Sequence, residues 1–376
     1  MAQTLDIMVA LSGGVDSAVA ALRLKQAGHR VQALHMTNWE DDDGYCNAAE
    51  DFQDARKICQ QLDIPLHRVN FSRDYRQKVF THFLREIAAG RTPNPDILCN
   101  REIKFGVFRE HARRLGVDWI ATGHYARLRG TDPIELLKGV DDNKDQTYFL
   151  HRVRSEQLDR VLFPVGELTK TQVRAAARNM GLPVAAKRDS TGICFIGERP
   201  FDAFLGRYVE GKPGPMLAAD GRVLGEHKGL PFYTIGQRHG LGLGGDANGS
   251  GEPWYVAAKQ VHDNTLVVVQ GAQHPALFAP RLLARDAAWI NGPPARLATG
   301  IRLEARIRHR QPVQACTVSA RADDTVSVAF DRPQRAITPG QAIVFYQGDV
   351  CLGGADIGTA TDTNPAARQP SLAATP

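Results

Sequence analysis

The sequence predicts an α/β chain with an N-terminal doubly wound parallel sheet, a small central connecting module and a C-terminal antiparallel β-barrel. Three observations support this prediction. Strand-like apolar runs alternate with helical periods in the first half, residues 206–251 are rich in glycine and proline, and a hydrophobic period of two begins at Trp254. The expected divisions are residues 1–200, 201–272 and 273–358, with 359–376 as a disordered tail.

The first half is expected to alternate between strands and helices. The helix after the first strand runs to about Ala27, and Gly28 suits its end because glycine readily adopts a left-handed conformation. The predicted strands are residues 5–11, 31–36, 66–69 and 119–122, with a short strand at 134–137 beside the sheet. The predicted helices are residues 48–62, 74–89, 103–115 and 169–180, and residues 90–100 and 190–197 are predicted loops.

The second half contains short strands with turn signals between them. They are predicted at residues 266–269, 301–310, 313–318, 325–330 and 342–346. Several short strands of this kind favour a small antiparallel barrel.

Composition limits the function classes. The chain has 376 residues, of which 43% are hydrophobic and 23% charged, and this excludes a wholly disordered or fibrous protein. The net charge of +5 permits a polyanionic partner without requiring one. No apolar run approaches the ~20 residues of a membrane-spanning helix. No signal-peptide pattern is recognised, so a cytoplasmic protein without a membrane partner is expected. The six cysteines lack C-x-x-C spacing, which argues against a zinc site and favours reduced thiols.

The sequence SGGVDS at residues 12–17 lies between the first predicted strand and the first predicted helix. Its two glycines let the backbone approach a phosphate, and the helix N-terminus presents free amides to an anion. Asp16 can orient Mg²⁺ or cap the helix. The lysine of a Walker A motif is missing, which argues against a γ-phosphate site of the kinase or GTPase type. Taken alone, the turn could also be a plain glycine turn with a capping side chain.

Two cysteines lie in segments that favour a reactive thiol. Cys99 follows TPNPDIL, whose prolines stiffen the chain, and Arg101 and Lys104 come soon after it. Cys194 lies in STGICFIG, a glycine-containing segment shortly after Lys187. A buried structural cysteine is the alternative for Cys99, and only the fold can decide whether the two sulfurs meet.

Residues 301–310 read as an alternating strand, in which every even-numbered side chain is charged and every odd-numbered one up to Ile307 is apolar. On a strand, four arginines would share one face with Glu304 and form a basic stripe suited to phosphates. The arginines are Arg302, Arg306, Arg308 and Arg310. From the residues alone, a solvated strand edge that resists aggregation is an equally good interpretation.

Together, the glycine turn and the two cysteine segments closely resemble the bacterial tRNA-specific 2-thiouridylase (MnmA) family of the PP-loop ATP pyrophosphatase superfamily. The resemblance runs from about Met8 to Gly354. Further matching segments are His35-Met36, ATGHYAR at 121–127, KDQTYFL at 144–150, PGQ at 339–341 and GDVCLGG at 348–354. The resemblance implies a tRNA 2-thiouridine synthase. Such an enzyme adenylates the wobble uridine with ATP and Mg²⁺, releases pyrophosphate and AMP, and transfers sulfur.

The resemblance also implies a role for each matching residue. Cys194 would carry a persulfide, Cys99 would be the nucleophile that is left in a disulfide with Cys194, and Asp96 would be a general acid or base. The implied ATP-binding residues are Ala10, Leu11, Ser12, Gly13, Gly14, Val15, Asp16, Ser17, Met36 and Gly123, with Asp16 as the candidate Mg²⁺ ligand. The implied tRNA-contacting residues are Asn94, Pro95, Asp96, His124, Lys144, Asp145, Gln146, Arg308, His309 and Gln341.

The expected partners are the tRNAs for glutamate, glutamine and lysine, together with a sulfur donor or relay protein fed by a cysteine desulfurase. A monomer is expected. Whether the persulfide or freed sulfide attacks uridine C2 stays open. Two other functions also stay open. A PP-loop synthetase acting on a small molecule would not need Cys99 or Cys194, and a nucleotide- and RNA-binding protein without catalysis would release no AMP.

Overall fold

The computed structural model describes residues 3–40, 48–189, 200–244, 251–323 and 325–361. The strands of these residues assemble into three sheets. Every helix in these ranges is too short or too polar to cross a membrane.

The strands are numbered in chain order. They are β1 Asp6–Ala10, β2 Arg30–Thr37, β3 Leu66–Asn70, β4 Trp119–Ala121, β5 Ala126–Arg129, β6 Glu135–Lys138, β7 Val161–Leu162, β8 Gly214–Ala218, β9 Val223–His227, β10 Trp254–Gln260, β11 Thr265–Gln270, β12 Phe278–Trp289, β13 Ile301–Arg306, β14 Gln314–Ala320, β15 Val326–Arg335, β16 Ala342–Gln347 and β17 Val350–Thr361.

The α-helices are α1 Val15–Gln26, α2 Ala48–Leu62, α3 Ser72–Tyr75, α4 Thr81–Ala88, α5 Pro95–Leu98, α6 Phe108–Arg114, α7 Thr147–Leu150, α8 Ser155–Leu158, α9 Lys170–Asn179 and α10 Phe201–Leu205. Short 3₁₀ turns occur at Leu230–Phe232 and Pro275–Leu277. Two π-helical segments, Arg76–Phe80 and Cys99–Val107, join the α-helices on either side of them into continuous helices over residues 72–88 and 95–114.

The first sheet contains five parallel strands in the order β3-β2-β1-β4-β7. Ile7 and Val9 of β1 face the core formed with α1, α2 and α9, whereas Met8 faces the core formed with the helices over residues 72–88 and 95–114. The chain winds outward from β1 on one side and from β4 on the other. The predicted doubly wound parallel sheet is therefore confirmed, and its strand order reverses between β1 and β4. Ligands bind at such a reversal in open parallel sheets.

The second sheet has the order β10-β11-β8-β9, with β8 and β11 parallel and the other pairs antiparallel. Its core contains Met216, Val256, Leu266 and Val268. The predicted strand at residues 266–269 exists, but it lies in this sheet and not in the barrel. Its residues are buried on both faces, and a period of two does not reveal which sheet a strand joins.

The third sheet closes into a six-stranded antiparallel barrel, because β17 pairs with both β16 and β12. Val318, Val328, Phe345 and Ile357 lie in its core. The predicted C-terminal antiparallel barrel is confirmed. Since β17 runs to Thr361, residues 359–361 are part of a strand and the prediction of a tail is wrong for them. Residues 362–376 lie outside the described residues.

The hairpin of β5 and β6 extends the barrel sheet by pairing with β17. Leu136 and Leu137 of β6 pair with Cys351 and Val350. The expectation that residues 134–137 lie beside the parallel sheet is therefore wrong. Leu136 is fully buried in the same core as Tyr346 and Cys351 of the barrel. Burial of this side chain against the barrel favours pairing of β6 with β17.

Candidate active site

The glycine turn at residues 12–17 connects β1 to α1 at the reversal of strand order. Gly13 has φ of +82°, and a Cβ atom there would lie 2.3 Å from the carbonyl oxygen of Asp51. Gly14 occupies the N-cap position of α1, so no side chain caps the first amides of this helix. Such amides, with the positive end of the helix dipole, form a site for an anion such as phosphate.

Two serine hydroxyls brace the turn from within. The Ser17 hydroxyl donates to the carbonyl oxygen of Gly14 over 3.0 Å and lies 3.2 Å from the Ser12 hydroxyl. The Ser12 backbone amide donates to the Ser17 hydroxyl over 3.3 Å. These contacts hold the turn in shape without covering the first amides of α1.

Gly123 follows β4 and touches α1 directly. A Cβ atom at Gly123 would lie 2.7 Å from the backbone nitrogen of Ser17 and 2.8 Å from the carbonyl carbon of Asp16. Only glycine permits this approach without a shift. Met36, at the end of β2, is partly buried against the core on one face of the sheet. The predicted ATP-binding residues therefore lie at the carboxyl ends of three adjacent strands.

The Asp16 carboxylate is held by two residues from distant parts of the chain. The Lys170 ammonium donates to both of its oxygens over 2.7 and 2.8 Å, and the Tyr125 hydroxyl donates to one of them over 2.7 Å. Desolvation, reinforced by the Asp16 charge, raises the pKa of the Tyr125 phenol. That phenol therefore keeps its proton and remains a donor.

A second carboxylate, Asp189, shares the Lys170 ammonium. Lys170 lies 2.8 Å from Asp189, and Lys144 and Arg174 contact the same carboxylate over 2.6 and 2.7 Å. Burial opposes ionisation of Asp189, but the hydrogen bonds from Lys144 and Lys170 outweigh it and lower its pKa to about 2. Lys144, a predicted tRNA contact, is thus joined through Asp189 and Lys170 to the glycine turn.

Residues 95–100 are helical, so the prediction of a loop over residues 90–100 is wrong for them. Asn94 caps the helix by accepting a hydrogen bond from the Asp96 amide over 3.1 Å, and Pro95 takes the first helical position. Proline fits that position because its missing N–H has no partner in the helix anyway. Cys99 is 2% exposed and is the first residue of the π-helical segment. π-Helical turns occur frequently at functional sites.

His124 connects the carboxyl end of β4 to the helix over residues 95–114, which contains Cys99 and is called the Cys99 helix below. Its Nε2 lies 3.4 Å from the Lys104 ammonium and its Nδ1 lies 2.7 Å from the Thr122 hydroxyl. An ammonium can only donate, so Nε2 accepts and Nδ1 carries the proton. Burial, with help from the Lys104 charge, holds the pKa of His124 well below its usual range. His124 is therefore a neutral imidazole beside Gly123.

Asp96 is affected by the same lysine. Desolvation raises the pKa of the Asp96 carboxyl, and the nearby Lys104 charge opposes this effect. A carboxyl whose pKa is raised towards neutral is better suited to general acid–base catalysis. Arg101, which the sequence suggested as a cation near the Cys99 thiol, pairs with Glu102 over 2.6 Å. The Glu102 carboxylate therefore compensates part of the Arg101 charge.

Cys194 lies in residues 190–199, which are outside the described residues. Its predicted role as a persulfide carrier and its distance from Cys99 therefore stay predictions.

Asp145 and Gln146 make contacts within the protein at this site, where Asp145 is buried and Gln146 half-buried. Asp145 is 1% exposed, accepts hydrogen bonds from the amide and the hydroxyl of Thr147, and pairs with Arg306 over 3.2 Å. The Gln146 side chain accepts from the Tyr125 amide over 3.0 Å. Their contacts with tRNA stay predictions, while in this structure both side chains fix the segment that presents Lys144.

The predicted basic stripe on residues 301–310 is wrong. The strand β13 ends at Arg306, and Arg310 adopts a positive φ of 65°. Arg306 is buried against Asp145, and Arg302 pairs with Asp331 over 2.7 Å. The alternating residues form a strand only as far as Arg306, and Arg308 and Arg310 lie in the turn that follows it.

The remaining predicted tRNA contacts lie at the junction of the barrel with the other two units. Arg308 donates to the carbonyl oxygens of Ile235 and Ala336 over 2.9 and 3.1 Å. The His309 Nε2 lies 3.2 Å from the Asp145 carbonyl oxygen. The Gln341 amide donates to the Thr92 carbonyl oxygen over 2.6 Å. Their predicted contacts with tRNA are not tested by these positions.

A cavity of about 290 Å³ opens between the helix over residues 72–88 and the barrel. Pro93, Asn94 and Pro95 line it from the parallel-sheet unit, and Asp286 and Gly340 line it from the barrel. Two of the predicted tRNA-contacting residues, Asn94 and Pro95, thus border this cavity.

Sequence reasoning missed three residues at this site: Lys170, Tyr125 and Asp189. Lys170 follows Asp16 by 154 positions, and no local spacing connects the two. The one available signal was the absence of a Walker A lysine from residues 12–17. A phosphate site without a lysine in its loop is expected to take a cation from another part of the chain.

Three family models match successive parts of the chain. The model described as tRNA methyl transferase HUP domain matches residues 5–198. The model described as tRNA methyl transferase PRC-barrel domain matches residues 202–270. The model described as Aminomethyltransferase beta-barrel domain matches residues 280–357.

Relatives named tRNA-specific 2-thiouridylase MnmA are similar over nearly the whole chain. The protein of Cupriavidus taiwanensis is 54% identical over 352 residues, which cover 93% of this chain and 97% of that one. The protein of Pseudomonas entomophila is 53% identical and covers 96% of each chain. The solved structure of a 4-thiouridine synthetase–RNA complex with bound ATP covers 54% of this chain and 49% of that one at 18% identity. The TM-score of the two chains is 0.36.

More than half of the aligned residues are identical in these relatives across more than nine-tenths of the chain. This protein therefore belongs to the tRNA-specific 2-thiouridylase (MnmA) family.

Proposed function

We propose that this chain is an ATP-dependent tRNA uridine 2-sulfurtransferase. It adenylates the C2 oxygen of the wobble uridine and replaces that oxygen with sulfur. The observation that carries the proposal is the path from Gly123 to Cys99. Gly123 lies against α1 at the glycine turn, its neighbour His124 contacts Lys104, and Lys104 lies in the π-helical segment that begins at Cys99. The proposed activating site is thus connected through His124 and Lys104 to the helical segment that begins at the candidate nucleophile.

ATP fits the site because the first amides of α1 are not capped by a side chain. Any side chain at Gly13 or Gly123 would collide with the backbone of Asp51 or Ser17, so both glycines keep neighbouring segments packed closely around the turn. The described residues contain no group of three or more histidines, cysteines or acids that could hold a metal ion. Mg²⁺ would therefore bind through Asp16 and the phosphates together, which is its usual way of binding at nucleotide sites.

The chemistry follows from the weakness of the substrate. Uridine C2 is an amide-like carbon whose oxygen is a poor leaving group, and ATP supplies an adenylyl group that makes AMP the leaving group. The first amides of α1 hold the phosphates, and the pyrophosphate leaves as the uridine oxygen bonds to the α-phosphorus. Asp96 accepts the N3 proton of the uridine that this step must release.

Sulfur transfer then uses the two cysteines. The terminal sulfur of a Cys194 persulfide attacks C2 and displaces AMP, and the Cys99 thiolate attacks the Cys194 sulfur. The bond between the two persulfide sulfurs breaks, which leaves 2-thiouridine and a Cys99–Cys194 disulfide that a thiol reductant must reopen. In a variant, Cys99 first releases hydrosulfide, which then attacks C2.

We infer further that the acceptors are the tRNAs for glutamate, glutamine and lysine and that a persulfide relay fed by a cysteine desulfurase supplies the sulfur. The enzyme acts as a monomer in the cytoplasm. The remaining proposed roles are ATP binding by residues 10–17, Met36 and Gly123, and tRNA contact by Asn94, Lys144, Arg308, Gln341 and the other predicted residues.

The test is nucleoside mass spectrometry on unmodified glutamate tRNA after incubation with the purified protein, Mg-ATP and a sulfide source. We expect 2-thiouridine only when ATP is present. Release of AMP without thiolation would point to a missing sulfur donor. If neither AMP nor 2-thiouridine is formed, the result would favour a small-molecule synthetase. A methylated nucleoside, which the descriptions of two matching family models suggest, would overturn the proposal.

A further inference from the structure

The glycine turn lacks the lysine of a Walker A loop, yet the Lys170 ammonium contacts the Asp16 carboxylate of this turn. We propose that Lys170, at the first position of α9, supplies this missing cation by binding the β- and γ-phosphates of ATP. The inference rests on the proposed use of ATP and adds a residue that the motif does not contain.

The position of Lys170 is set by its backbone surroundings. Thr169 caps α9 by accepting from the Gln172 amide, and the Lys170 amide donates to Asp141 over 2.8 Å. The side chain runs past the Tyr125 ring, with its ammonium 5.9 Å from the ring centroid. These contacts place the ammonium 2.7 Å from Asp16, the second residue of α1. An anion at the first amides of α1 therefore lies within reach of the ammonium.

The charges around Lys170 allow it to change partners. Asp189 keeps Lys144 and Arg174 when Lys170 turns away, because both already contact its carboxylate. Asp16 keeps the Tyr125 hydroxyl and gains Mg²⁺. Neither carboxylate is left unpaired, so the exchange avoids the penalty of an uncompensated charge.

Bound there, Lys170 acts on the leaving group. When the uridine oxygen attacks the α-phosphorus, the bond to the bridging oxygen of the β-phosphate breaks and that oxygen gains negative charge. A lysine ammonium beside the β- and γ-phosphates stabilises this charge, and pyrophosphate leaves with both electrons of the broken bond.

Calorimetric titration with ATP, inorganic pyrophosphate and AMP, each with Mg²⁺, tests the inference without any turnover. The variant is Lys170→Gln. Its affinity for ATP and for pyrophosphate should fall roughly 10- to 100-fold, as expected for a lost charged hydrogen bond, while its affinity for AMP stays within about twofold. Lys170→Arg should recover part of the lost affinity because it keeps the charge. The matched control is Lys57→Gln, which removes an exposed lysine from α2.

An unchanged AMP affinity also shows that the variant retains the fold of the site. Equal losses for AMP and pyrophosphate would make Lys170 a structural partner of Asp16 and overturn the inference. Unchanged affinity for all three ligands would do the same. Failure of the wild-type protein to bind ATP would instead overturn the proposed function together with this inference.

Discussion

The Gln341 side-chain amide donates to the carbonyl oxygen of Thr92 over 2.6 Å. This bond joins the barrel to the segment just before Asn94, which caps the Cys99 helix. The Thr92 amide in turn donates to the carbonyl oxygen of Pro339 over 2.9 Å. The start of the Cys99 helix is thus positioned by a turn of the barrel, and the activity should depend on that turn.

Gly340→Ala should lower thiolation by roughly 10- to 100-fold, as expected when a catalytic group is displaced by about 1 Å. A Cβ atom there would lie 2.8 Å from the Thr92 nitrogen. The control is Gly348→Ala, because Gly348 also has a positive φ but has nothing within 4 Å of the added carbon. Single-turnover thiolation compares the two. Equal rates would show that the turn does not position the helix.

Gly123→Ala should weaken ATP binding at least about tenfold, because the added carbon would collide with the backbone of Ser17 and Asp16. Gly244→Ala is the control, since its added carbon meets nothing within 4 Å. Calorimetric titration with Mg-ATP measures both variants. An unchanged dissociation constant for Gly123→Ala would contradict the placement of ATP at the reversal of strand order.

Cys99→Ser and Cys194→Ser should each abolish 2-thiouridine formation and leave ATP binding intact, since neither sulfur takes part in holding the nucleotide. Cys316→Ala serves as the control because Cys316 is buried in the barrel core. Nucleoside mass spectrometry and ATP titration give the two readouts. Full activity of Cys99→Ser would remove the two-cysteine scheme.

Arg306→Met should destabilise the protein by about 3–5 kcal/mol, because it leaves the Asp145 carboxylate buried without its cation. The control lies on the same strand. Arg302→Met breaks an exposed pair with Asp331 and should change the free energy of unfolding by less than about 1 kcal/mol. Urea unfolding compares the two variants, and similar losses would contradict the burial of the Asp145 pair.

His151 should make the protein less stable in mild acid. Burial, aided by the Arg152 charge, lowers the pKa of His151 to about 3 from the ordinary value of 6.5. Below pH 6.5 the unfolded chain binds a proton that the folded chain refuses, so stability is lost as the pH falls from 6.5 towards 3. Between pH 7.5 and pH 5 this one group should lower the free energy of unfolding by about 2 kcal/mol.

His151→Asn should flatten this pH dependence, because it removes the group that titrates. His262→Asn removes an imidazole that is 98% exposed and should leave the dependence as in the wild type. Urea unfolding at several pH values measures both. A wild-type slope in His151→Asn would place the acid sensitivity in another group.

Local features of the fold and site could be predicted from the sequence. The strand, glycine turn and helix around Gly13 follow from hydrophobic period and from the special backbone freedom of glycine. The Cys99 segment shows the limit of such rules. Two prolines indicate a loop, but Pro95 occupies the one helical position where proline is favoured, and Asn94 supplies the cap.

Contacts between distant segments could not be predicted in the same way. Lys170 reaches Asp16 and Arg306 reaches Asp145 because the sheet and the barrel bring them together, and no spacing in the sequence records either pair. Arg306 looked like part of an exposed stripe, since alternation on a strand does not distinguish a face in water from a face buried against another unit.

The pairing of the hairpin β5–β6 with β17 sets an order on folding during synthesis. The hairpin leaves the ribosome long before residues 350–361 are translated. Until then, one edge of β6 offers unpaired backbone groups, and β12 and β16 also lack their shared neighbour. Exposed strand edges invite association between chains. A nascent chain arrested before β17 should therefore associate more readily than the full chain, because completion of that strand pairs all three edges.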